Sequence, residues 1–256
     1  MPPRLTLVTL NTRGLPLPGT RISERYAAVA AALDPADVDV ICLQEVNTYR
    51  HVSRLRRGFT SFPYVMYGRG PAGPAGGLVT LSRLPCGGPT YTRLPQPVSV
   101  PLRSRLNALH SGVLTVELRE GGLRVHNVHP MANTDGDWSA QNRFHRSQGD
   151  QLRALAAVVR APAVVCGDFN VSRDSVLYDE FRVGAGVRDA FNGDCPPTFH
   201  AEYLPPGSSA HCIDFIFVTE PAEVSGATVL FSDKVAMPSG PGHVSDHLGL
   251  RAVIAG

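Results

Sequence analysis

Eight polar side chains sit where hydrophobic runs of this sequence end: Asn11, Glu45, His129, Asp168, Asn170, Asp214, Asp246 and His247. The stretch Ala163-Val164-Val165-Cys166-Gly167-Asp168-Phe169-Asn170 shows the design most clearly. Its apolar half reads as a buried strand, and residues two apart on an extended chain point the same way. Asp168 and Asn170 are therefore expected side by side at the end of a core strand. A buried carboxylate without a partner is too costly, so Asp168 must face a cation, a partner charge or a cleft. Taken alone, a strand followed by an Asx turn accounts for the pattern. Recurrence at Asn11, Gln44-Glu45, His129 and Asp246-His247 argues for a shared purpose.

The set holds hard oxygen donors and two histidines but no cysteine. Such donors suit Mg²⁺ or Mn²⁺ rather than structural zinc. Magnesium held by one or two carboxylates keeps positions free for phosphate oxygens. Phosphoester hydrolysis needs such an ion, a base for the attacking water and donors for the phosphoryl charge. Acyl transfer fits poorly, because no Gly-x-Ser-x-Gly elbow is present.

The elements that position these groups follow from periodicity. Residues 4–11 form a strand ending at Asn11; a Pro/Gly-rich turn covers 15–20; Ser23 caps a helix running to Leu33. A buried strand over 38–43 ends at Gln44-Glu45, and a basic helix spans 48–57. Strands over 64–67 and 78–82 flank the glycine-rich 68–77, which lacks Walker spacing and reads as a flexible linker. A hairpin pairs 112–119 with 123–128, ending at His129. A helix with Leu152, Leu155, Ala156 and Val159 on one face precedes the Asp168 strand. A shorter helix covers 175–181. Further strands cover 187–191, 212–218 with Asp214 in the middle, 227–231 and 248–254. Each half of the chain runs strand–helix–strand with chemistry at the strand ends. That repetition implies α/β architecture, two sheets packed face to face, and one cleft shared by their strand ends. No linker composition interrupts the chain, so residues 1–256 read as a single domain.

Composition bounds the rest. With 256 residues, 43% hydrophobic and 18% charged, the chain can bury a sizeable core. A net charge of +2 gives no field for gripping nucleic acid non-specifically. Five cysteines without CxxC or Cys/His zinc spacing point to a reducing compartment. Neither a signal-peptide core nor a membrane-length apolar run occurs, so a cytoplasmic monomer is expected.

The order Asn11, Gln44-Glu45, His129, Gly167-Asp168-Phe169-Asn170, Ile213-Asp214-Phe215, Ser245-Asp246-His247 resembles the endonuclease/exonuclease/phosphatase superfamily. The resemblance covers nearly the whole chain. It implies a four-layered α/β/β/α sandwich and metal-dependent phosphoester cleavage. Within the superfamily, Asn11-Thr12-Arg13-Gly14-Leu15-Pro16 is similar to the Asn-x-x-Gly-Ile-Pro start of neutral sphingomyelinases, and His129 fits that branch. The chain departs from it at Arg13, where Trp is usual, and at Pro130, where Leu is usual.

By that resemblance Glu45 is the primary Mg²⁺ ligand, with Asn11 beside it and Asp246 as a second ligand. Asp168 positions or deprotonates the attacking water, helped by Asn170. His247 donates to phosphoryl oxygens, and Asp214 sets its tautomer. His129 donates from the opposite side or protonates the leaving oxygen. Asn133 and Trp138 follow His129 and are candidate substrate contacts; Trp138 equally suits a loop anchor. Arg54, Arg56 and Arg57 read as a solvated helix face. The expected substrate is a small or lipid-like phosphoester, such as a sphingomyelin-type phosphodiester. The alternatives are a DNA or RNA nuclease on the same fold and a non-catalytic binding protein. No expected catalytic position is missing, which disfavours the last.

Overall fold

The computed structural model describes residues 4–15 and 19–255, with the backbone alone at His110. Pro16, which completes the sphingomyelinase-like start, and part of the 15–20 turn lie outside the described residues.

Two six-stranded mixed sheets pack face to face, flanked by helices. The first uses β1 (Arg4–Asn11), β2 (Val40–Gln44), β3 (Tyr64–Met66), β4 (Val79–Ser82), β11 (Glu223–Leu230) and β12 (Gly249–Ala255). Its order is β11-β12-β1-β2-β4-β3. The second uses β5 (Thr90–Arg93), β6 (Gly112–Glu117), β7 (Arg124–His129), β8 (Ala163–Asp168), β9 (Val187–Asp189) and β10 (Asp214–Thr219), in the order β5-β6-β7-β8-β10-β9. Each sheet has one parallel pair at its centre, β1 with β2 and β7 with β8. Every other pairing is antiparallel. The two sheets thus repeat one plan, as the strand–helix–strand repetition predicts.

Helices α1 (Ile22–Leu33) and α2 (Tyr49–Gly58) cover the outer face of the first sheet. Tyr26, Val29, Leu33, Val52 and Leu55 pack there on Val8, Leu10, Ile41 and Leu43. Helices α4 (His145–Ala156) and α5 (Val176–Ala185) cover the second sheet through Leu152, Leu155, Leu177 and Phe181. Alternation sends Leu5, Leu7, Val40 and Cys42 the other way, into the space between the sheets. Polar groups share that space. Gln44 Nε2 donates to Asn127 Oδ1 at 2.7 Å and to Thr9 Oγ1 at 3.0 Å. Asn127 Nδ2 donates to the carbonyls of Leu43 and Val79, both at 3.1 Å. The three bonds of Asn127 cross from one sheet to the other beside the strand ends that carry the chemistry. All five cysteines are buried thiols.

Several expectations are corrected. Ser23 does not cap α1; the helix starts at Ile22 after Arg21, whose backbone is left-handed and whose guanidinium pairs with Glu24 at 2.9 Å. Thr48 and Ser175 do cap α2 and α5 through their side chains. Asp214 is the first residue of β10 rather than its middle. Residues 85–105 supply edge strand β5 and the start of a short helix, α3 (Leu102–Asn107). The glycine-rich 68–77 segment is packed rather than loose. A Cβ added at Gly73 would lie 2.4 Å from the Asn47 carbonyl, and one at Gly68 would lie 2.9 Å from Tyr91 Cβ. No helix among the described residues is long and apolar enough to cross a membrane.

Candidate active site

Asp168 ends β8 and is the hub. Asn11, the last residue of β1, donates its Nδ2 to Asp168 Oδ2 at 2.9 Å and to Glu45 Oε1 at 3.1 Å. His129, the last residue of β7, brings Nε2 to 3.5 Å from the same Asp168 oxygen. His247 Nε2 stands 3.7 Å from it, beyond hydrogen-bond range. The other ring nitrogen, Nδ1, bonds Asp214 Oδ2 at 2.9 Å. Register explains the meeting of the two aspartates: Asp214 lies directly opposite Asp168 on the neighbouring strand.

Local sequence makes these positions possible. Gly167 has φ 144, and a Cβ there would lie 2.1 Å from the Val128 carbonyl. Only glycine lets β8 press against β7 just before the key carboxylate. Phe169, next in line, anchors the turn against Phe181, Phe215 and Phe217 with ring separations of 5.2–5.5 Å. Burying such a ring contributes about 2–3 kcal/mol. Glu45, Asn170 and Arg13 all hold left-handed backbones, with φ 58, 53 and 46. Non-glycine residues rarely adopt that region, and such strain concentrates at functional sites.

Asn170 does not stand beside Asp168 on the strand as expected. It lies past the end of β8, where its N–H donates to Asp168 Oδ1 at 2.9 Å and its Nδ2 to the Pro130 carbonyl at 3.1 Å. The Asx turn and the site are thus one structure. Asn11 likewise differs from an oxygen ligand. Its Oδ1 accepts the Arg13 N–H at 3.0 Å, so the amide turns its nitrogen toward both carboxylates.

Two other groups hold the final segment in place. Ser245 Oγ donates to the Asn11 carbonyl, at 2.6 Å, and accepts the His247 N–H at 3.2 Å. Asp246 pairs with Arg13 Nε at 3.2 Å. Sequence reasoning missed Arg25, a buried guanidinium on α1 that donates to the carbonyls of Thr12, Arg13, Thr20 and Val244 at 2.7–2.9 Å. It ties the loop after Asn11 to the segment before Ser245. Its signal was an arginine three residues after Ile22 and four before Val29, on the apolar stripe of the helix. Thr198 was missed as well; its Oγ1 accepts the N–H groups of Ile213 and Asp214 at 3.0 and 3.2 Å.

Burial opposes charge on His247, but Asp214, Asp168 and Asp246 outweigh it and raise the imidazole to about 10. Asp214 is pushed up by burial, with the His247 charge pulling it back. The pair therefore sits as imidazolium against carboxylate. Asp168, Asp214 and His247 offer ligand atoms within 4.8 Å of one another. Because His247 Nδ1 is already bonded to Asp214, that trio is occupied by its own hydrogen bonding.

Glu45, His129, Asp168, Asn170, Asp246 and His247 line one cleft of about 760 Å³. Asn11 lies beneath it, and Asp214 lies behind His247. The structure does not bring Asn133 and Trp138 into that lining. Asn133 is spent on its own loop, donating to the Asp137 carbonyl at 2.9 Å and accepting the Asp135 N–H at 3.0 Å. Trp138 packs edge-on against His211 at 5.7 Å. The segment's contribution to the cleft is Met131, Ala132 and Thr134.

The profile of the Endonuclease/Exonuclease/phosphatase family matches residues 8–247. No curated protein sequence matches the chain. Sphingomyelinase C from Streptomyces griseocarneus is similar in structure, with TM-score 0.77 at 20% identity over 99% of this chain and 100% of that one. TDP2 from D. rerio, in complex with a single strand DNA product, has TM-score 0.74 at 17% identity over 99% of each chain. An endonuclease/exonuclease/phosphatase from Beutenbergia cavernae has TM-score 0.70 at 23% identity, over 98% of this chain and 71% of that one. At these identities the likeness is one of fold.

Proposed function

The chain belongs to the endonuclease/exonuclease/phosphatase family, whose members hydrolyse phosphoester bonds, and from that premise we propose a divalent-metal-dependent phosphoester hydrolase acting on a small or lipid-like phosphodiester or phosphomonoester. The observation that carries the reading is the convergence of Glu45, His129, Asp168 and His247, from separate strand ends, on one cleft.

The residues fit a hard cation. Glu45 lines the cleft, and only its Oε1 has a hydrogen-bond partner among the described residues. Asp168 and Asp246 add carboxylate oxygens to the same cleft lining, the donors that Mg²⁺ and Mn²⁺ prefer. Glu45, with Asp246 in the same cleft lining, would hold the ion, which would supply positive charge at the phosphoryl oxygens. Asn11 enters as the residue that fixes Glu45 and Asp168 rather than as an oxygen ligand.

Asp168 Oδ2, bonded to Asn11 and flanked by two imidazoles, orients the attacking water and takes its proton. Asn170 holds the second Asp168 oxygen still. His247 presents Nε2–H to a phosphoryl oxygen, because Asp214 engages Nδ1–H and sets the ring. His129, less buried, protonates the leaving oxygen from the other side.

A nuclease is the second reading, favoured by Arg69 and Arg93 in the cleft lining and by the structural likeness to a protein solved with a DNA product. A panel of phosphocholine lipids, phosphomonoesters, and single- and double-stranded DNA, each with Mg²⁺, Mn²⁺ or EDTA, tests both. Turnover of the small or lipid esters, lost with EDTA and in Asp168→Ala or His247→Ala, is expected. Cleavage confined to DNA would select the second reading, and turnover surviving either substitution would refute the assigned roles.

A further inference from the structure

The short helix α3 and the turn after it, Ala108–His110, carry an apolar stripe that faces water. Leu102, Leu106 and Leu109 are 68%, 55% and 45% exposed, and α3 buries none of its residues. Spacing of i, i+4, i+7 is the stripe a helix normally turns into a core. Val98, ahead of the helix, is 50% exposed, and Leu15, from the loop after β1, is 47% exposed. Leu15 and Leu106 both line the candidate cleft, so the stripe reaches its lining at Leu106. Clustered exposed leucines on a folded chain mark a surface that something covers.

Charge says what covers it. From residue 46 to residue 116 the chain has no Asp or Glu but nine arginines, although the whole chain has a net charge of only +2. Arg103 and Arg105 alternate with the leucines on α3 and have no ion-pair partner among the described residues. Arg69 and Arg93 line the same cleft, likewise unpaired among the described residues. Leucines on one side of a short helix with arginines beside them are the composition of an interfacial helix. An acidic protein partner would meet the arginines but would leave the leucine stripe unexplained.

We infer that α3 and its following turn dock on an anionic lipid surface, with Leu102, Leu106 and Leu109 entering the headgroup region and Arg103 and Arg105 meeting lipid phosphates. The cleft then opens onto the bilayer, and its substrate class is a phosphoester lipid presented at that surface. The docking stands on the exposed stripe and the charge; only the substrate assignment rests on the proposed function.

Sedimentation of the full chain with vesicles tests it, using phosphatidylcholine alone against phosphatidylcholine mixed with phosphatidylglycerol. Binding to the anionic vesicles should exceed binding to the neutral ones about tenfold and fall with added salt. Leu102→Asp/Leu109→Asp should lower it about tenfold, as should Arg103→Glu/Arg105→Glu. Neither pair touches the catalytic groups, so turnover of a water-soluble phosphodiester should match the parent. Equal binding of parent and leucine variant, or no binding by the parent, overturns the docking. So does a dimer in sedimentation velocity that the leucine substitutions abolish while vesicle binding persists, since the face would then join two copies. Vesicle binding is read without turnover: a chain that binds vesicles but cleaves no phosphoester refutes the proposed function and leaves the docking intact.

Discussion

Gly14→Ala offers the sharpest test of how Glu45 is held. Gly14 is buried, and a Cβ placed on it would lie 1.8 Å from the Glu45 carbonyl oxygen, 2.9 Å from its carbon and 3.1 Å from the Tyr26 hydroxyl. Ordinary contact begins near 3.4 Å, so one of the two backbones must move by about 1.6 Å. Glu45 has little freedom to yield, because its left-handed φ of 58 and its bond to Asn11 Nδ2 define one geometry. Misplacing a catalytic group by about 1 Å can cost about 10²-fold in rate. We therefore expect kcat/KM on a soluble phosphodiester to fall about 10²-fold or more, with a weaker apparent affinity for the divalent ion. Overpacking of this kind destabilises by about 1–3 kcal/mol, which a chain of this size shows as a Tm lower by roughly 2–12 °C. A far-UV circular dichroism spectrum matching the parent at 25 °C is expected, and it separates lost activity from lost protein. Gly88→Ala, with nothing within 4 Å of the added carbon, is the control and should match the parent. A Gly14→Ala enzyme with parental kcat/KM and an unchanged metal titration would refute the claim that this contact sets Glu45.

Further expectations come from other parts of the molecule. Asp214→Asn removes the charge from the 2.9 Å bond to His247 Nδ1 and should lower kcat by about 10²–10⁴-fold with little change in KM, read in steady-state kinetics. Asn127→Leu strips Gln44 and two carbonyls of their bonds between the sheets and should cost about 2–4 kcal/mol, seen as a lower urea midpoint. His126 is buried on β7 with Nε2 unpartnered, and burial depresses it to about 4. The unfolded chain takes up that proton first as pH falls below about 6.5. Its contribution is thus full above that pH and is lost on the way down to about 4, by roughly 3 kcal/mol. Urea titrations of the parent and of His126→Phe over this range should converge as pH falls; parallel curves would show that the imidazole does not titrate between the two states.

Strand ends were legible because each is written twice, once as an apolar run and once as the polar residue that stops it. Asn11, His129 and Asp168 each close a strand as the sequence implies, and Glu45 follows one directly. What periodicity could not convey was hydrogen-bond direction. That Asn11 offers nitrogen rather than oxygen depends on the Arg13 N–H two residues on, a backbone detail with no sequence period. Asp214 looked mid-strand because Cys212 and Ile213 are as apolar as the strand itself, yet Ile213 and Asp214 give their N–H groups to Thr198 Oγ1 rather than to the ladder. Residues 68–77 read as linker because glycine signals freedom, whereas here it permits close approach to Asn47. Trp138 is the chain's one tryptophan, and that singularity says nothing about which way its ring points. Arg25 and the exposed leucines of α3 share one lesson: residues at odds with their face of a helix are where pattern reasoning should look first.

The placement of β12 has a consequence for how this molecule comes into being. Thr90 to Thr219 hold all six strands of the second sheet in one contiguous span, so a growing chain can complete that half during synthesis. The first sheet cannot follow suit. Its strand β1 lies between β2 and β12, and β12 follows every other strand among the described residues. Until then β1 keeps an open edge, the kind that recruits stray partners. His247, just ahead of β12, reaches the cleft in the same closing step. Hydrolytic competence is therefore withheld from a nascent chain until β12 is delivered.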